Sequence, residues 1–343
     1  MTTALIRTTA HTAHSEPRHV EQAARLAAIE TALSASGLLA RAHVVDAKPA
    51  SDQYIRAVHS PRVVETIQYI SNEGEAWLDS DTYVMFGSWD AAATAAGAAI
   101  EAVDAVASGH AHNAFALTRP PGHHATPDRS MGFCLLNNVA IAARYAVDVL
   151  GMDRVAIVDY DVHHGNGTQD CFYNDGHVLF CSSHGAPLYP GSGDMREIGV
   201  GPGVGATLNV PLPYGVGDVG FERLYRQVFL PALRRFRPQL LLVSAGFDAH
   251  WDDPIGPLTL SVDGYAGLTQ QLKQAADELC DGRIALVLEG GYSLRVLGAC
   301  ANAALGALMG EPQDDLIGPA ENMEPDITNL IKKLRAEHPL LSS

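Results

Sequence analysis

Apolar runs with little polar alternation recur along the chain at 113–118 (NAFALT), 155–162 (VAIVDYDV), 178–182 (VLFCS), 239–245 (QLLLVSA) and 284–288 (IALVL). Val, Ile and Leu fill them, as strands covered on both faces require. Between them lie Ala-rich or amphipathic stretches at 91–108, 138–150, 221–236 and 264–279, which read as helices. Strands alternating with helices predict an open parallel sheet clothed on both sides. After residue 310 the pattern changes to an acidic, Pro-containing segment (311–325), and 327–337 reads as a terminal helix. No repeat or low-complexity linker divides the chain, so a single domain over 1–343 is expected, with 311–343 as its C-terminal appendage.

In such sheets ligands settle beyond the carboxyl ends of the strands. Here one run after another ends in polar residues flanked by Gly: Arg119 to His124 (RPPGHH), Asp159 to Asn166 (DYDVHHGN), Ser244 to Asp248 (SAGFD) and Leu288 to Tyr292 (LEGGY). Asp161 and His163, one residue apart at a strand end, are expected on one side of the chain by period-two geometry. Asp248 supplies a third donor from another strand end. Three protein ligands with an open fourth position is the pattern of a catalytic rather than a structural metal. Oxygen and nitrogen donors without thiolate favour Zn2+ and leave Fe2+ and Mn2+ open. A lone Asp-x-His is more often a cap or an internal pair, and a lone His-His is more often a surface feature. It is their convergence with Tyr292 that turns the argument.

His123 and His124 follow a rigid Pro-Pro-Gly turn and suit acid-base work near neutral pH. Asp159 and Asn166 are the candidate partners for their other ring nitrogens. An Asp partner favours imidazolium and an Asn partner the neutral ring, so the two histidines are expected to differ in protonation. Tyr292, carried on Gly290-Gly291, is expected to swing toward a carbonyl oxygen and donate to the developing oxyanion.

The remaining composition narrows the field. Formal charge is −16 and the chain has only four lysines, so no basic stripe exists for phosphates and no direct nucleic-acid partner is expected. No apolar run is long enough for a membrane span, and the N-terminus lacks a signal pattern, so a cytoplasmic location is the expectation. Five scattered cysteines without CxxC spacing read as free thiols.

RPPGHHA (119–125), MGFCLLNNVAIAA (131–143), VDYDVHHGNGTQ (158–169), SAGFDAH (244–250) and LEGGY (288–292) resemble the histone deacetylase superfamily in family order, over about residues 13–308. Asn166 and SAGFDA are similar to the class II branch. The resemblance implies an arginase-like α/β fold with one zinc ion per chain on Asp161, His163 and Asp248. It implies His124 as the base toward water, His123 assisting and available to protonate the amine, Asp159 and Asn166 behind them, and Tyr292 as oxyanion donor. It also implies a tunnel lined by Gly132, Phe133, Tyr189 and Ile255, and a structural potassium site on Asp159, Asp161, His163, Ser182 and Ser183. The implied substrate is an acylated lysine, or alternatively an acylated polyamine or other small amide, and a second copy of the chain is a further candidate partner. A ureohydrolase with two manganese ions and a catalytically silent binding module are the rivals. The family's HPExPxRL element reads here as HVEQAARL (19–26), without the prolines. Tyr189 stands where many relatives carry Phe, and Ile255 gives no acid to recruit a polyamine's distant charge.

Overall fold

The computed structural model describes residues 2–342. Ten strands are seen: β1 Thr3–Arg7, β2 His43–Asp46, β3 Ala76–Trp77, β4 Tyr83–Val84, β5 Asn113–Ala116, β6 Val155–Asp159, β7 Val178–Gly185, β8 Thr207–Leu212, β9 Leu240–Ala245 and β10 Ile284–Leu288. Eight of them form one parallel sheet in the order β2-β1-β5-β10-β9-β6-β7-β8, and β3 and β4 make a small antiparallel hairpin.

Period-two alternation decides which side of the sheet each residue serves. Ala4, Ile6, Ala114, Ala116, Val155 and Ile157 enter a core under helices Ser88–Ala107 and Asn138–Asp148. Their neighbours Leu5, Phe115, Ala156 and Val158 enter the opposite core, with helices Ala24–Ala35, Val262–Leu279 and Leu294–Met309. Both faces are thus buried, which is why these strands carry no polar alternation. Two helices start where a side chain satisfies a free backbone N–H: Asn137 accepts from Ala140 and Ser261 from Gly264.

The expected arginase-like arrangement is present, with local differences. The 221–236 stretch belongs to a longer helical run, Asp218–Leu224, a π turn at Tyr225–Phe229, then Leu230–Phe236. The terminal helix is Thr328–Glu337. β6 stops at Asp159 rather than running on to Val162, because Asp159 caps its own end by accepting the Asp161 N–H at 3.0 Å. The five cysteines are free thiols. Among the described residues no helix is long and apolar enough to cross a membrane.

The four central strands, β5, β10, β9 and β6, are consecutive in the sheet although far apart in the chain. Their carboxyl ends lead into the loops holding RPPGHH, LEGGY, SAGFD and DYDVHHGN. Topology, not sequence proximity, brings these four motifs together.

Candidate active site

Asp161, His163 and Asp248 are buried, and one ligand atom from each lies within 4.8 Å of the others. The expected same-strand geometry does not produce this, since Asp161 and His163 lie beyond the end of β6. A tight loop does: the His163 N–H donates to Asp161 Oδ1 at 2.9 Å, turning the imidazole back over the carboxylate. His163 Nδ1 then stands 3.2 Å from both Asp161 Oδ1 and Asp248 Oδ2. The other carboxylate oxygens are anchored: Gly290 N–H donates to Asp161 Oδ2 at 2.9 Å and Val162 N–H to Asp248 Oδ1 at 2.8 Å.

The glycines around this group answer a demand for space. A Cβ on Gly246 would lie 2.0 Å from Asp161 Oδ2, and one on Gly290 would lie 2.1 Å from Asp248 Oδ2. Gly290 therefore admits the carboxylates.

Electrostatics mark the same three residues. Two carboxylates share a site with no exposed surface to relieve them. Burial and the neighbouring Asp161 push Asp248 up to about 7, while Asp161 is held well below the usual carboxylate range by His123 and His163 against the effect of burial. Burial opposes charging His163, yet Asp161 and Asp248 raise it to about 10. A buried pair of acids that must draw a proton onto a histidine is a donor set suited to a cation. Its mixed oxygen and nitrogen donors could hold Zn2+.

The adjacent histidines meet different partners, as expected from Asp159 and Asn166. His123 Nδ1 lies 3.0 Å from Asp159 Oδ2, and His124 Nδ1 lies 2.8 Å from Asn166 Oδ1. His123 is raised to about 10 by Asp161 and Asp159, despite burial. Burial, His123 and His163 together hold His124 well below the ordinary histidine value. Their rings are 4.0 Å apart, close enough for the charge on one to oppose a charge on the other.

A cavity of about 150 Å³ is lined by Asp81, His124, Gly132, Phe133, His163, Tyr189, Ile255 and Tyr292. Tyr189 meets His124 edge-on at 5.0 Å, and Phe133 meets Tyr292 edge-on at 5.5 Å. All four expected tunnel residues are therefore on its wall. Asp81, in the turn between β3 and β4, was not among them, because its segment carries no motif. His19 meets Phe133 edge-on at 4.7 Å, so the N-terminal element packs against one residue of this wall.

Of the five residues expected at a potassium site, Asp159 and Ser183 approach each other, with Ser183 Oγ 3.4 Å from the Asp159 carbonyl. The Ser182 hydroxyl is instead 2.9 Å from His184 Nδ1. Tyr225, near this group, has a buried hydroxyl that faces the Ser183 side chain.

Beneath the cavity lies a second ionic cluster that sequence reading missed. Glu21 accepts from Arg119 at 2.7 and 2.9 Å and from Arg25 at 3.1 Å, all three fully buried. Arg25 also donates to the carbonyls of Gly291 (2.7 Å) and Glu289 (2.5 Å). The segment that lacks the prolines thus still sends its acid and its arginine under the site.

Fold and site together define a class: an arginase-like α/β protein with a narrow cavity and a metal-competent Asp-His-Asp group at the carboxyl ends of its central strands. Residues 19–308 match the model of the histone deacetylase domain, and the chain belongs to that family. It is 42% identical to a probable deacetylase of Archaeoglobus fulgidus over 91% of this chain and 87% of that one. It is 40% identical to a histone deacetylase-like amidohydrolase of Pseudomonas aeruginosa, over 85% of this chain and 77% of the relative. Among solved structures, the crystal structure of the HDA15 HD domain superposes with a TM-score of 0.85 at 36% identity, covering 93% of this chain and 90% of that chain.

Proposed function

We propose that the chain is a zinc-dependent amidohydrolase, a single deacetylase unit that removes acetyl or other acyl groups from amines, with acyl-lysine in proteins or peptides as its substrate class. The observation that carries this is one cavity walled by His124, His163 and Tyr292, with the differently partnered His123 beside His124 and the carboxylates of Asp161 and Asp248 against His163. Zinc bound there supplies Lewis acidity toward a carbonyl and a water. His124 donates its Nδ1–H to Asn166 Oδ1, which leaves Nε2 free to accept the water's proton and later return it to the leaving amine. His123, with Nδ1–H donated to Asp159, keeps a positive charge beside the centre where negative charge develops. Tyr292 donates its hydroxyl to that oxyanion. Phe133 and Tyr189 hold the alkyl chain between aromatic walls.

Ile255 favours lysine over a polyamine, since no acid stands at that position for a distant ammonium. Asp81, a carboxylate on the same wall, favours the second reading, an acylated polyamine. Comparing kcat/KM on an acetyl-lysine peptide and on acetylputrescine separates them. A clear preference for the peptide supports the first reading, and the reverse preference overturns it. The oxygens of Asp159, Ser183 and Tyr225, gathered in one buried place, support a hard monovalent cation such as potassium as a structural ion behind the site.

A further inference from the structure

We infer that Asp253 is a positioning residue for Tyr292, holding the loop after β10 against the loop after β9 where the sheet itself no longer does so; the inference rests on the oxyanion reading of Tyr292. Sheet-type bonds between the two strands continue past their ends only as far as Glu289 N–H to the Ala245 carbonyl and Phe247 N–H to the Gly290 carbonyl, each at 3.0 Å. Tyr292 lies two residues beyond the last of these. There Asp253 takes over: its Oδ2 accepts the N–H of Tyr292 at 2.6 Å and of Ser293 at 3.0 Å. Its Oδ1 accepts the N–H of Ile255 at 3.1 Å, closing an Asx turn around Pro254. One carboxylate therefore fixes the backbone of two residues that line the cavity, Tyr292 and Ile255.

Asp253 is 7% exposed, so these bonds are made out of water and their loss is not replaced by solvent. Burial raises its pKa and the three N–H donors oppose that rise. Each oxygen faces donors only, which matches an ionised, acceptor-only carboxylate. The ring of Tyr292 has other supports, the Arg25 guanidinium 4.8 Å from its centroid and Phe133 on its edge. The backbone has Asp253 on its N–H groups and Arg25 on the Gly291 carbonyl. Because the rate depends on where the phenol oxygen sits to within about 1 Å, this clamp acts on kcat through Tyr292.

Asp253→Asn is close to isosteric, but whichever way its amide turns, an NH2 faces a backbone N–H that needs an acceptor. The test is a double-mutant cycle on metal-loaded protein with an acetyl-lysine peptide, using Asp253→Asn, Tyr292→Phe and the pair. The expected result is a fall in kcat of up to ~100-fold for Asp253→Asn, with KM little changed and zinc content equal to wild type. In the Tyr292→Phe background the same substitution should change kcat by less than about twofold, the tolerance of additive sites. Wild-type kcat for Asp253→Asn, or an equal loss in both backgrounds, overturns the inference while leaving Tyr292 as donor. Wild-type kcat for Tyr292→Phe alone overturns the oxyanion reading and this inference with it. If the asparagine variant does not accumulate folded, Asp253→Ser, which keeps one acceptor oxygen, runs the same cycle.

Discussion

Two buried ionic clusters lie on either side of the same loops, and they solve the cost of buried charge differently. Under the cavity, one glutamate sits between two guanidiniums whose spare N–H groups go to backbone carbonyls. Every charge there has a protein partner, so the cluster is complete within the chain. In the Asp-His-Asp group, two aspartates face one histidine, and their anchoring bonds leave the inner oxygens and Nδ1 turned toward one another. Those three groups could hold a cation from outside. A complete cluster points to structure, and an incomplete one to function.

Replacing a member of the incomplete cluster should have the largest effect. Asp161→Ala, His163→Ala or Asp248→Ala should bring turnover below detection and leave less than stoichiometric metal, read by elemental analysis of the purified protein. Wild-type protein should retain one equivalent of catalytic metal per chain; two equivalents would break the contrast as drawn. In the complete cluster the damage should be to stability. Arg119→Ala leaves Glu21 and Arg25 in a site built for three charges, and breaking a buried pair costs about 3–5 kcal/mol. A thermal melt should show a large drop in Tm; an unchanged Tm would show that the cluster is not structural.

Tyr292 lies between the clusters, its ring beside Arg25 and its cavity shared with His163. Tyr292→Phe should lower kcat ~100- to 1,000-fold, about 2.7–4 kcal/mol, through loss of one oxyanion donor. KM and metal content should stay close to wild type. A rate near wild type on fully metallated protein would return the oxyanion role to the metal alone. The smallest effect expected is a pH dependence. Burial would raise the Glu21 pKa, but Arg119 and Arg25 outweigh it and hold it below the usual 4.5. A carboxyl whose folded pKa is depressed contributes stability above the unfolded value and loses it as pH falls. The Tm difference between wild type and Glu21→Gln should therefore be constant above about pH 5 and narrow below about 4.5. A gap that stays constant down to pH 3 would sink the ionised triad.

The site around the Asp-His-Asp group was legible because its chemistry is written in side chains clustered along short stretches: Asp161, His163, the His123-His124 pair, and Asp248 after Ala-Gly. The pairing of His123 with Asp159 and His124 with Asn166 could be read only as an option, since two candidates flank the metal residues equally in sequence. The complete cluster was hidden for another reason. Glu21, Arg25 and Arg119 are ordinary charged residues until the sheet order brings them together, and the missing prolines drew attention away from two of them. Asp253 and Arg25 act largely on backbone N–H and C=O groups, which leave no pattern in side-chain identity. Among the strands of the large sheet, β1, β2 and β8 escaped notice: β2 is short and largely polar at its ends, and β8 carries Pro211; the two-residue strands β3 and β4 were also missed. The sheet's extent was thus undercounted while its centre, where all four motif loops arise, was read correctly.

The bond from Arg25 to the Gly291 carbonyl joins residues 266 apart in the chain. A ribosome adds roughly 5–20 residues per second, so Arg25 is made on the order of 15–50 s before its acceptor exists. Throughout that interval the first helix can form, but its buried guanidinium has no full set of partners. Closure of the molecule must come late, when the loop bearing Tyr292 arrives and accepts bonds that the N-terminal segment has held ready. Nascent chains cut short before residue 291 should accordingly remain open and sensitive to protease at residues 19–35, however much of the sheet they already contain.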